Sequence, residues 1–199
     1  SLALLEKKGI KGGQLAAVIM ETYQGGNAAF APIKYVEELS RWCKKNGILL
    51  IFDEVQTGIG RLGTFYGYQH YGVEPDIITL AKGLGGGVPI GATLFKEHAC
   101  TLRPGDHGNT FGGNPLMCVA AQVVVEHVLH TGFLDTVIAK GKRIRAGLEE
   151  LRSTGKVVEV RGTGLLNGVE LNSAETADMV VNKARERGLI VVKANATTV

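Results

Sequence analysis

No block of like charge interrupts this sequence: 22 Lys and Arg stand against 19 Asp and Glu, a net +3 spread along 199 residues. With no basic stretch interleaved with aromatics, and only one Trp, the chain lacks the electrostatic footprint of a nucleic-acid binder. Long hydrophobic runs are also missing. The opening Ser1-Leu-Ala-Leu-Leu5 gives way to Glu6-Lys7-Lys8, too short for a signal peptide, and no later stretch approaches the roughly 20 apolar residues of a membrane span. Cysteine is sparse. Cys43, Cys100 and Cys118 are odd in number, widely spaced and form no C-x-x-C, which argues against a disulfide framework or zinc knuckle and fits a reducing, cytoplasmic setting. The five histidines show no H-E-x-x-H or other ligand spacing; His127 and His130 lie three apart without a carboxylate or cysteine partner, so no metal is implied.

What the chain does have is glycine, 28 in all, about twice the average share of roughly 7%. The glycines cluster at 58–67 and 83–91, where turns or close backbone approaches are expected. Three short apolar runs each end in a charged side chain: Ala16–Met20 before Glu21, Ile48–Phe52 before Asp53, and Asp76–Leu80 before Ala81-Lys82. Runs of this kind read as strands buried on both faces, the mark of a parallel sheet. Ile33, Val36, Leu39 and Cys43 lie on a helical stripe between the first two runs, entered at Pro32 and stopped at Asn46-Gly47. That is a βαβ unit. Ligands in such α/β sheets sit beyond the carboxyl ends of parallel strands, so Glu21, Asp53 and Lys82 should face one crevice.

From about Asn114 the pattern changes to helices, Pro115–His130 and Phe133–Arg152. Strand-like alternation at Lys156–Val160 and Leu165–Leu171 follows, around Gly162-Thr-Gly164. A helix from the N-cap Ser173 to Arg187 and a last apolar run, Leu189–Val192, complete what reads as a smaller α+β domain. The division is placed at 1–130 and 131–199, and both ends of the chain read as cut.

Lys82, after a buried strand and before Gly83-Leu-Gly-Gly-Gly87, is read as a desolvated amine able to attack a carbonyl, or more simply as a surface lysine at a strand end. Asp53 on the neighbouring strand shifts the balance. A lysine and an acid together suit a ligand with an aldehyde and a protonatable ring nitrogen, which describes pyridoxal phosphate. Asp53-Glu54 also reads as a capping pair with Thr57 and Gly58, and Glu21 as an acceptor for amides in the turn after it. Gly58-x-Gly60-x-x-Gly63 matches a dinucleotide fingerprint in form, leaving an NAD oxidoreductase as a rival. However, the aromatic and polar stretch Thr64–Tyr71 has no apolar stripe for the helix that fingerprint needs. Thr110, in His107-Gly-Asn-Thr-Phe-Gly-Gly-Asn-Pro115, is read as a phosphate contact at a helix start, or that start as an ordinary helix entry.

The segments Leu49-Leu-Ile-Phe-Asp-Glu-Val-Gln-Thr-Gly-Ile-Gly-Arg61, Pro75-Asp-Ile-Ile-Thr-Leu-Ala-Lys-Gly-Leu-Gly-Gly-Gly-Val-Pro-Ile-Gly91 and Thr110-Phe-Gly-Gly-Asn-Pro115 together resemble the class III pyridoxal-phosphate aminotransferases, in that family's order. Within the class the chain is most similar to acetylornithine and ornithine enzymes, with 4-aminobutyrate enzymes next. The resemblance implies a fold type I α/β architecture, comprising part of the large-domain, parallel-rich sheet and an incomplete small domain. It also implies residue roles. Lys82 would form the aldimine and then shuttle the proton; Asp53 would pair with the pyridinium nitrogen. Val55 would pack on the ring, Gln56 would bond the phenolic oxygen, and Thr110 would reach the phosphate of a neighbouring subunit's cofactor in a homodimer. The expected reaction moves an amino group from an ω-amino donor to 2-oxoglutarate, with aminomutase or decarboxylase chemistry left open. Two departures are noted. The family's front half, with its phosphate loop, stacking aromatic and carboxylate-binding arginine, is absent, so the piece alone is expected to be inactive. In Glu21-Thr-Tyr-Gln-Gly-Gly26-Asn27, Gly26 stands where the family carries a second glutamate that gates donor choice.

Overall fold

The computed structural model describes residues 4, 7–10 and 12–199. In chain order its main elements are β1 (Ala17–Glu21), β2 (Tyr23–Gln24), β3 (Ala29–Phe30), α1 (Ile33–Asn46), β4 (Leu49–Asp53), β5 (Ile77–Leu80) and β6 (Ala92–Phe95). These are followed by α2 (Pro115–Leu129), α3 (Phe133–Glu150), β7 (Val157–Thr163), β8 (Leu166–Leu171) and α4 (Ala174–Glu186). The sheet order is β1-β4-β5-β6, with the first three strands parallel and β6 antiparallel.

The βαβ unit forms for the reasons its spacing suggests. Val36, Leu39, Ser40 and Cys43 recur on one face of α1, which ends where Gly47 takes a left-handed φ of 66° and returns its N–H to Cys43 and Lys44 carbonyls. That face packs on Ile48, Leu50, Phe52 and Tyr71, the main core. Each fully buried aliphatic or aromatic side chain there contributes roughly 1.5–3 kcal/mol. Burial, with Asp76 nearby, pushes the Cys43 thiol up, so this sulfur is a packing group and not a nucleophile. Register places Glu21 opposite Asp53 and Asp53 opposite Thr79, so the strand ends carrying the candidate residues are level.

One expectation is corrected here. The strands are not all buried on both faces: Ile19 on β1 is 62% exposed, because β1 is an edge strand among the described residues. Burial on β4 alternates and is deepest at Leu50 and Phe52.

Helices α2 and α3 meet at a bend of 73°, turned by Gly132 at φ 84°. α2 begins at Pro115 with Asn114 as N-cap, and α4 begins after Ser173, whose hydroxyl accepts from Thr176 N at 3.1 Å. β7 and β8 form an antiparallel hairpin that docks by backbone contact. Leu165 N donates to the Arg61 carbonyl at 2.9 Å, and a side chain at Gly164 would strike the backbone of Arg61 and Leu62. The apolar run Leu189–Val192 is irregular, with Ile190 84% and Val192 77% exposed. The β8 edge is met instead by the last residues, through a bridge from Glu170 to Thr198. Among the described residues no single helix is long and apolar enough to cross a membrane.

Candidate functional site

The end of β4 turns sharply, and a buried carboxylate holds the turn. Glu54 is 1% exposed and accepts four hydrogen bonds. Its Oε1 takes Thr22 Oγ1 and Tyr68 N, each at 2.7 Å, and its Oε2 takes Thr57 Oγ1 at 2.5 Å and Gly67 N at 2.8 Å. The capping role with Thr57 and Gly58 is therefore real, since Gly58 N also donates to the Glu54 carbonyl at 2.9 Å. The further partners, Thr22 and the 67–68 turn, lie 13 to 32 positions away and leave no local spacing signal. Gly67 must be glycine because a β-carbon there would stand 2.9 Å from Glu54 Oε2.

With Glu54 buried beneath, Asp53 is left half-buried at the strand terminus. Its Oδ1 accepts from Val55 N at 2.9 Å, while Oδ2 has no partner among the described residues. Val55 and Gln56 follow, both half-buried, and the Gln56 amide makes no hydrogen bond. Lys82 comes two residues beyond β5, the neighbouring parallel strand, in a 3-10 turn, Lys82–Gly85. Its φ of +43° is one of three positive values at non-glycine positions among the described residues. Such left-handed backbone costs an L-residue of order 1–3 kcal/mol and collects at functional sites.

Of the two readings of Lys82, the expected desolvation is corrected in favour of the surface lysine: the residue is exposed, with no ion pair or hydrogen bond among the described residues. The glycines that follow have no side chains to cover it. Any burial of its amine must come from a ligand or from other chain.

Glu21 is exposed, and its Oε2 accepts Gly25 N at 2.9 Å, the structural role its position suggested. The fingerprint-like glycines serve packing. Gly60 (φ 81°) and Gly63 (φ 90°) lie where a β-carbon would meet Val128 and Leu134, and Ile138, respectively. Residues 64–71 hold only turns and a short 3-10 segment. Gly63→Ala is expected to lower stability by about 2 kcal/mol, through the φ penalty and a 2.5 Å approach to Ile138 Cγ1, read as a lower urea midpoint. An unchanged midpoint would mean that neither constraint acts.

Thr110 sits on an exposed loop whose neighbours, Asn109 and Phe111, line a small cavity together with Pro89–Gly91. The first amides of α2 are satisfied by Asn114 Oδ1, from Leu116 N at 3.1 Å and Met117 N at 3.4 Å, so this helix start is an ordinary capped entry. The structure thus brings Asp53, Val55, Gln56 and Lys82 to adjacent strand ends and leaves Thr110 facing outward. His127 packs edge-on to Phe133, and His130 bonds the Thr131 carbonyl, each a local structural contact. A cavity of about 710 Å³ lies elsewhere, among aliphatic residues of α3, β8, α4 and the C-terminal segment. Tyr23, Gly25, Ala28 and Gln56 line its side toward the strand ends, and its walls are otherwise mostly aliphatic.

Comparison with known proteins gives one consistent picture. Residues 2–199 match the family described as Aminotransferase class-III. The acetylornithine aminotransferase of Caldanaerobacter subterraneus is 51% identical over 180 residues, which is 89% of this chain and 46% of that protein. The acetylornithine aminotransferase of Thermosynechococcus vestitus is 47% identical over 191 residues, 94% of this chain and 46% of that protein. Among solved structures, the Plasmodium falciparum ornithine delta-aminotransferase superposes with a TM-score of 0.86 at 34% identity, covering 100% of this chain and 52% of that one. The N-acetylornithine aminotransferase of Stenotrophomonas maltophilia gives 0.85 at 31% identity, covering 99% and 52%. The chain spans about half the length of the curated relatives it matches. Its mixed α/β sheet is that of fold type I aminotransferases.

Proposed function

The chain belongs to the class III aminotransferase family, and from that premise we propose that the whole protein transfers an amino group from an ω-amino donor of the acetylornithine or ornithine type to 2-oxoglutarate, with pyridoxal phosphate as cofactor. The observation that carries this reading is the set of unengaged groups at two adjacent parallel strand ends: Asp53 Oδ2, the Gln56 amide and the Lys82 amine. The set fits the cofactor. A protonatable ring nitrogen calls for a carboxylate, a phenolic oxygen for an amide donor, and an aldehyde for an amine. Gly87 has nothing within 4 Å of its β position, and Gly83 only Ile59 at 3.9 Å, so a flat ring can approach the backbone there.

Bound at this place, pyridoxal phosphate supplies an electron sink for the carbon that loses its proton. Lys82 Nζ would bond the aldehyde carbon until the donor's amine displaces it, and the freed amine would then accept and return the proton of the amine-bearing carbon. Asp53 would keep the ring nitrogen protonated, Val55 would pack on the ring, and Gln56 would donate to the phenolic oxygen. Thr110, on its exposed loop, would reach a phosphate held by a neighbouring copy. In support of a homodimer, α2 is apolar on nearly every side, yet Leu116, Val119 and Val123 are 58–69% exposed, as is normal for a helix awaiting a second surface. Sedimentation of the complete protein is expected to show a dimer that Val119→Glu/Val123→Glu weakens; an unaltered dimer would remove this face from the interface. The division into 1–130 and 131–199 falls at the Gly132 bend, and the cellular setting we assign is the cytoplasm.

The direct test is borohydride reduction of the complete protein after pyridoxal-phosphate treatment, followed by peptide mass mapping. A phosphopyridoxyl group on Lys82 and on no other lysine supports the reading; none there overturns it. A donor screen with N-acetylornithine, ornithine and 4-aminobutyrate then settles the substrate, which Gly26 leaves open. Asp53→Asn is expected to retain the cofactor but lose turnover about 100-fold, the usual scale for removing one preorganised electrostatic partner. Unchanged kcat would count against the ring-nitrogen contact.

A further inference from the structure

The turn between β2 and β3 is gripped from two sides. From the sheet, Glu21 accepts the Gly25 N–H at 2.9 Å. From the C-terminal part of the chain, Arg161 Nε donates to the Asn27 carbonyl at 3.0 Å, and Asn195 Nδ2 donates to the Gly26 carbonyl at 3.0 Å. Arg161 is itself held. Its Nη1 pairs with both Glu159 and Glu170, its Nη2 donates to Thr198 Oγ1 at 3.2 Å, and its side chain is 17% exposed. A planar guanidinium offers all these donors at once, which a lysine ammonium cannot do from one place.

The turn also lies flat on β8. A β-carbon at Gly168 would stand 2.1 Å from that of Ala28, and Ala28 has a left-handed φ of 50°. Strained backbone of this kind persists only where its surroundings over-determine it. On its remaining side the turn meets Gln56: a β-carbon at Gly25 would stand 2.5 Å from Gln56 Oε1 and 3.2 Å from Cδ. Among the described residues the Gln56 amide makes no hydrogen bond, so the close approach of Gly25 is the contact through which this turn bears on it.

We propose that this turn is a strut through which the β7–β8 hairpin positions the Gln56 amide, making Arg161 and Gly25 positioning residues for the strand-end site. Its catalytic meaning rests on the reading that Gln56 meets the cofactor. A shift of the hairpin moves the Asn27 carbonyl through Arg161, and the C-terminal segment bridged to β8 holds the Gly26 carbonyl through Asn195, so the turn, Gly25 and the amide move with them.

The test begins without cofactor, so that it does not depend on that reading. Crystal structures of the complete apoprotein would compare wild type with Arg161→Lys, Asn195→Ala and Gly25→Ala. Gly25 has ordinary φ, and the atoms a methyl group would strike end a flexible side chain, so the last variant folds. The Gln56 amide should be displaced by about 1 Å or more in Gly25→Ala and in at least one of Arg161→Lys and Asn195→Ala. It should stay in place in Lys193→Gln, which breaks only the outlying pair with Asp178. An amide in its wild-type position in Gly25→Ala, or in both Arg161→Lys and Asn195→Ala, overturns the strut.

In the holoenzyme, Gly25→Ala and Arg161→Lys should move the cofactor's visible absorption in the direction Gln56→Ala moves it. Gly25→Ala/Gln56→Ala should go no further than Gln56→Ala alone. Wild-type spectra in the first two, beside a shifted Gln56→Ala, also overturn the proposal. A Gln56→Ala spectrum like wild type overturns instead the assigned cofactor contact and leaves the apoprotein structures to decide the strut.

Discussion

Lys82→Ala should reduce turnover of the complete protein by about 10⁴-fold or more, because it removes both a nucleophile and a proton carrier from one position. That loss corresponds to about 5.5 kcal/mol of transition-state stabilisation at 1.36 kcal/mol per tenfold. The substitution is clean in structural terms. Lys82 makes no ion pair or hydrogen bond, and alanine has the same β-carbon at the same positive φ, so the fold should keep its stability within about 0.5 kcal/mol. Cofactor should still associate through its other contacts but leave no reduced adduct at position 82. An added small amine should restore part of the rate. Turnover within tenfold of wild type, with no amine added, would remove Lys82 from the mechanism and with it the reading of the strand-end crevice.

Glu54→Ala should destabilise the protein by about 4 kcal/mol, with Glu54→Gln intermediate. The alanine variant leaves the N–H groups of Gly67 and Tyr68 and the hydroxyls of Thr22 and Thr57 without their acceptor, and each such buried orphan costs about 1–3 kcal/mol before relaxation. Glutamine is the sharper probe. Each carboxylate oxygen takes one hydroxyl and one backbone N–H. Whichever way the amide is turned, its NH₂ faces an N–H that cannot reverse its role, while the hydroxyl beside it can. Urea unfolding should therefore rank wild type above Gln above Ala, with Asp53-dependent activity falling in step as the β4 turn loosens. Equal stability in the Gln variant would mean the carboxylate is not the hub its four contacts describe.

Much of this architecture was legible in the sequence, for identifiable reasons. The α1 stripe and the stop at Asn46-Gly47 are local signals, and the helix formed as the spacing predicts, with Val36, Leu39 and Cys43 buried but Ile33, in its first turn, 54% exposed. Ser173 caps the helix it precedes because capping acts within three residues, and Pro115 opens α2 as read, behind a cap at Asn114 that was not. Asp53 and Lys82 were visible because each ends an apolar run, and a parallel sheet aligns such ends. What stayed hidden depends on distant partners. Thr22, Gly67 and Tyr68 around Glu54, and Asn27 and Thr198 around Arg161, come from segments 13 to 134 positions away, and no periodicity records them. The exposure of Ile19 also escaped, because an apolar run reports a strand but not which neighbours cover it, whereas the exposed Lys82 is one of the two readings its strand-end position left open. The glycines at 60 and 63 looked like a phosphate loop only because flexibility and close packing ask for the same residue.

The left-handed backbone at Lys82 implies a conflict between comfort and chemistry at a single position. Glycine, or asparagine at lower gain, would sit there with less strain than any long side chain. A stabilisation campaign that scored substitutions by folding energy alone would choose glycine at 82 early and deliver a sturdier protein with no amine at its strand end. On the proposed reading, the strain at this φ is the standing expense of an aldehyde-binding group.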